Sequence, residues 1–78
     1  MAVVKELDTV VLQNDLPEHG LVKGDVGAVV HVYDDGAGFE VEFVDADGRT
    51  VAVETLDSRD VTALEGRKIL HVRPLGPR

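Results

Sequence analysis

The chain has 78 residues, 15 acidic and 8 basic, giving a formal net charge of −7, and it contains no cysteine. That length suits one small domain with a thin core, and the lack of cysteine excludes disulfides, thiolate metal sites and cysteine nucleophiles. The apolar runs are far shorter than the roughly 18 residues of a membrane span, and the first five residues do not read as a secretory signal. A cytoplasmic protein without membrane contact is therefore expected.

Valine dominates the apolar residues. It is β-branched and favours a pleated strand, and no apolar stripe at helical spacing persists along the chain. Five strands are expected, the first over residues 8–13. A long loop follows, with turn chemistry at His19-Gly20-Leu21 and Lys23-Gly24-Asp25. The second strand is expected over residues 26–33, with Val26, Ala28, Val30 and Val32 on one face and Val29, His31 and Tyr33 on the other. Gly27, just inside this strand, suits a sharp bend or a close backbone approach. The spacing of Gly20, Gly24 and Gly27 is not that of a phosphate loop, because a strand rather than a helix follows Gly27.

The third and fourth strands are expected over residues 39–44 and 49–55. Phe39, Val41 and Phe43 alternate with Glu40 and Glu42, and Val51 and Val53 alternate in the same manner. Placing Phe43 opposite Val51 and Val41 opposite Val53 leaves a three-residue loop closed by Gly48. This is a type I turn with a bulge, whose last residue needs positive φ. The register sets Glu40 directly opposite Glu54 on the outward face, with Glu42 beside them and Asp34 and Asp35 opening the preceding connection. Like charges so placed cost up to roughly 1 kcal/mol. A nearby lysine or arginine, a basic partner, or a divalent cation held by Glu40, Glu42 and Glu54 would relieve that repulsion. Asp45-Ala46-Asp47-Gly48 is not a calcium loop: the glycine comes fourth rather than sixth, and Leu56 stands at the twelfth position.

The fifth strand is expected over residues 60–62 or 69–73, and residues 58–64 have room for one helical turn. The fold class is thus all-β, a small barrel over residues 1–64 followed by a tail over residues 65–78. Ile69, Leu70, Val72 and Leu75 are too apolar for a free linker. The tail is expected to add a strand over residues 69–73, either closing the barrel or pairing with a second copy as a homodimer.

Residues 20–32, with Lys23-Gly24, Gly27, Val29 and Val32, resemble the KOW-type core of SH3-like barrels. The wider pattern is residues 6–12, Leu16-Pro17-Glu18-His19-Gly20-Leu21, residues 24–30, Glu40-Val41-Glu42-Phe43 and residues 48–53. Over roughly residues 5–62 the chain resembles a family of small uncharacterised bacterial proteins, frequent in cyanobacteria. The resemblance implies an SH3-like barrel and transfers no catalytic residue. A KOW likeness by itself implies RNA or ribosome contact. The charge argues against it: Lys23 is the only basic residue between Lys5 and Arg49, and stacking aromatics on a basic surface are missing. Five of the eight basic residues, Arg59, Arg67, Lys68, Arg73 and Arg78, lie late and scattered.

No catalytic or cofactor-binding residues are expected. Ser58 is the only serine and sits in a turn, and His19, His31 and His71 lack metal-ligand spacing. His19 is expected to be solvated, His31 structural or at the surface, and His71 on the wet face of the tail. The expected function is a non-enzymatic protein-interaction module. Its partner would be basic and encoded by a neighbouring gene, as for an antitoxin or immunity-type protein. The alternatives are a calcium-binding protein using the acidic face and a nucleic-acid-binding barrel.

Overall fold

The valine-rich segments form five antiparallel strands in a computed structural model that describes residues 4–33 and 36–76. They are β1 (Thr9–Leu12), β2 (Val26–Val32), β3 (Gly38–Val44), β4 (Thr50–Asp57) and β5 (Val61–Ala63). Asp34 and Asp35, expected beside the acidic face, and Arg78, one of the scattered basic residues, lie outside the described residues. The sheet order is β4-β3-β2-β1-β5: β1 to β4 form a meander and β5 returns to the free side of β1, the order of an SH3-like barrel. No helix among the described residues is long and apolar enough to cross a membrane.

Alternation along the strands builds the core. Val10 and Leu12 of β1, Val29 of β2, Phe39, Val41 and Phe43 of β3, Leu56 of β4 and Val61 of β5 are all buried. Leu21 joins them from the β1–β2 loop, where a short 3₁₀ turn at Pro17–His19 carries the chain over the barrel. Burying a side chain of this size stabilises by roughly 1.5–3 kcal/mol. Gly27 shows how close the strands come. A Cβ there would lie 2.6 Å from Val41 Cγ1, 2.9 Å from Phe43 Cε1 and 3.0 Å from the Glu42 carbonyl oxygen.

The β3–β4 turn has the expected form. Gly48 has φ 80°, its N–H donates to the Asp45 carbonyl at 3.0 Å, and the Asp45 N–H donates to Arg49 at 2.9 Å. Asp45 Oδ1 also accepts the N–H groups of Asp47 and Arg49. Beyond the turn, the expected register is corrected. Val44 pairs with Thr50 but Phe43 pairs with Ala52, so Val51 is an extra residue in a β-bulge. Every later residue of β4 then faces the opposite way. Val41 lies opposite Glu54, and Glu40 lies opposite Thr55. Val53, expected inside, is exposed. A second bulge at Val30 interrupts the β2–β3 ladder between Val29 and His31, and it breaks the simple alternation expected for β2. Gly27 and Val29 point inward before it and Val32 after it.

The end of the chain brings two further corrections. Residues 58–60 turn, with Asp60 N–H donating to Asp57 O at 3.0 Å, and strand follows at once, so residues 58–64 contain no helical turn. Residues 69–73 form no strand. β5 already fills the free side of β1, the Leu64 N–H donates to Thr9 O at 2.9 Å, and Gly66, at φ 82°, redirects the chain.

Candidate interaction surface

The two bulges decide which side chains share a face. On the outward face, Ala28, Glu42 and Val53 stand side by side across β2, β3 and β4. The next row holds His31, Glu40 and Thr55. Val44 follows Glu42 along β3 on the same side, and Val26 precedes Ala28 along β2. Val44 is 53% exposed and Val53 48%, and Val26 and the bulge residue Val30 are open to solvent as well. The result is an apolar patch of valines around two carboxylates.

Each carboxylate of the expected Glu40, Glu42 and Glu54 set has its own partner. Glu40 Oε1 accepts the Thr55 hydroxyl at 2.5 Å and the Tyr33 hydroxyl at 2.6 Å. The Thr55 bond, then the Tyr33 bond, hold its carboxyl below the usual glutamate range, with His31 adding a smaller pull. The same bond pushes the Tyr33 phenol up, because its proton is shared with a carboxylate. Glu42 accepts the Thr50 hydroxyl at 2.6 Å. Glu54 belongs to the other side of the sheet. It faces the 3₁₀ turn of the β1–β2 loop, where His19 Nε2 lies 3.0 Å from Glu54 Oε2. His19, expected to be solvated, is thus partnered across 35 residues of sequence. The structure brings Glu40 and Glu42 together and separates Glu54 from them. Among the described residues no group of three or more histidine, aspartate or glutamate side chains is arranged to hold a metal ion.

The remaining expected residues fall outside this face or at its margin. His31 packs edge-on against Tyr33, ring centroids 4.8 Å apart, with Nδ1 at 3.8 Å from Glu6 Oε1. Gly20 and Gly24 shape the β1–β2 loop with φ of 69° and 97°. His71 lies in the exposed tail.

Among the described residues, Arg73 ties that tail to the barrel. Arg73 Nε donates to Asp25 Oδ1 at 2.9 Å, and Nη2 donates to Asp25 Oδ2 at 2.5 Å and to the Gly20 carbonyl at 2.9 Å. A two-pronged guanidinium–carboxylate pair is geometrically specific. Arg73 holds the Asp25 carboxyl below its ordinary value against the opposing effect of burial, and the Val22 N–H adds to the lowering. Between the tail and the sheet runs a groove of about 860 Å³, lined in part by Val26, Val44, Val51, Val72 and Leu75. Upstream of the anchor, Ile69 is 87% exposed, Leu70 64% and Val72 98%. Sequence reasoning missed the valine patch, the Arg73 anchor and the Glu54–His19 pair. Only the apolar content of the tail signalled that it was no ordinary linker.

The sequence profile of a domain of unknown function, DUF4926, matches residues 6–63. No curated protein and no solved structure gives a significant match.

Proposed function

The chain belongs to the DUF4926 family, and from the chemistry of its own surface we propose that it is a non-enzymatic protein-interaction module. It takes a basic, apolar segment of a partner on the outward face of β2, β3 and β4. One observation carries this reading: exposed Val26, Val44 and Val53 surround Glu42, with Glu40 in the next row. Covering the valines is favourable at roughly 25 cal/mol per Å² of apolar area removed from water. The carboxylates select partners by charge and hasten encounter more than they add affinity. A basic partner encoded beside this chain, neutralised as by an antitoxin or immunity-type protein, has the required chemistry. The sign of the face favours a protein over a nucleic acid, whose phosphates it repels. The separate partners of Glu40, Glu42 and Glu54 speak against a shared cation.

The test is a titration of the full chain, followed by amide chemical shifts, with a synthetic peptide alternating lysine and leucine. Shifts centred on Glu42, Val44 and Val53, abolished in Glu40→Lys/Glu42→Lys, are expected. Equal binding of a glutamate–leucine peptide, or no response to either, overturns the reading.

A further inference from the structure

We infer that the segment seated on this face is the C-terminal segment of a second copy of the chain, so that two copies exchange tails reciprocally. The inference rests on the preceding reading of the face and names its occupant. Charge supplies the first argument. Residues 1–64 carry 14 acidic and 4 basic side chains, whereas residues 65–78 carry 1 and 4. The barrel is net −10 and the tail net +3, which together make the −7 of the whole chain. The tail therefore has the chemistry that the face selects: Arg67 and Lys68 lead into Ile69, Leu70 and Val72.

The second argument is that the middle of the tail, Ile69 to Val72, stays exposed on its own barrel. It is pinned at one end by the Leu64 N–H on Thr9 O and at the other by Arg73 on Asp25 and Gly20. Between those pins Ile69, Leu70 and Val72 remain in water. An apolar segment held out in this way, and an apolar face left open on the same molecule, are complementary surfaces that two copies can satisfy at once. The lengths agree. Seven extended residues, 67–73, span roughly 23 Å, and β3, which carries both glutamates, is itself seven residues long. The arrangement is isologous, each copy giving a tail and receiving one, and so it closes as a dimer.

The experiment is analytical ultracentrifugation of the full chain with two charge-reversed variants. Arg67→Glu/Lys68→Glu inverts the tail, and Glu40→Lys/Glu42→Lys inverts the face. The wild type is expected to dimerise, and each variant alone to dissociate at least about tenfold more readily. An equimolar mixture of the two is expected to recover the dimer, because both exchanged contacts are then complementary. Val72→Asp, at a fully exposed position, is expected to weaken the dimer without touching the barrel. A wild type that stays monomeric, a dimer indifferent to both reversals, or a mixture that stays monomeric overturns the inference. Retained binding of the lysine–leucine peptide by such a monomer would sink tail exchange alone and leave the interaction face standing.

Discussion

Two stretches near the end of this chain look alike in sequence and end differently. Residues 60–62 and 69–73 are both short stretches that read as a fifth strand, and the strand forms at Val61–Ala63. Val61 is 5% exposed, in ladder with Leu12, whereas Val72 is 98% exposed and hydrogen-bonded in no sheet. The deciding factor is access to an unpaired edge. The tight turn at Asp57–Asp60 delivers Val61 directly onto β1, where Val10, Val11 and Leu12 take Ala63, Thr62 and Val61 as partners. Once that edge is filled, the later stretch has no place in the ladder beside β1. Hydrophobicity makes a segment eligible for burial, and a pairing site beside β1 is what Val61 has and Val72 lacks.

The contrast can be broken most severely from inside the barrel. Gly27→Val places carbon atoms where Val41, Phe43 and the Glu42 backbone already stand. A loss of about 3 kcal/mol is expected from overpacking, read as a lower urea midpoint. The matched pair is more direct. Val61→Ala is expected to lower stability by about 2 kcal/mol through lost burial and a cavity, and Val72→Ala to change it by less than about 0.5 kcal/mol. Equal effects in a urea series would erase the distinction between the two stretches. Gly48→Val forces a β-branched residue to positive φ and is expected to cost about 1–2 kcal/mol. An unchanged midpoint would show that the β3–β4 turn does not depend on that conformation.

The tail has its own lever. Asp25 is paired with Arg73, and its carboxyl sits below the ordinary 3.8. A depressed value means that the pairing contributes fully above pH 3.8 and fades as pH falls through the lower, folded-state value. Backbone relaxation of residues 69–73 is therefore expected to show loosening only below pH 3.8 for the wild type, and already at pH 7 in Arg73→Ala. A tail equally ordered in both would mean that Arg73 is not its anchor. The smallest effect concerns cations. Melting in calcium chloride and in sodium chloride of matched ionic strength is expected to give equal shifts, since only screening acts on the acidic face. A calcium excess of several degrees, lost in Glu40→Gln, would show a cation site.

Strand positions were readable because valine content and turn chemistry mark them. The β3–β4 turn was readable because Asp45 and Gly48 each have a specific geometric duty. The register beyond it was not. Val51, Ala52 and Val53 are all small and apolar, so alternation leaves the strand free to take up one extra residue, and that residue turned Glu54 inward and Val53 outward. The candidate site suffered from the same slip. The expected register puts Glu40 and Glu42 on a shared outward face, but it puts their neighbour Val53 in the core. The Glu54–His19 and Asp25–Arg73 contacts join residues far apart in sequence, and no local pattern announces them.

Tyr33 gives the molecule an optical property of its own. The chain has no tryptophan and a single tyrosine, so its ultraviolet emission comes from one phenol. That phenol is hydrogen-bonded to Glu40, at the rim of the valine patch. A carboxylate that accepts a phenolic proton quenches tyrosine fluorescence. A lysine or arginine that draws Glu40 away is therefore expected to brighten the emission. Occupancy of the proposed face would thus be readable in the unlabelled protein, in a cuvette, by the light of one residue.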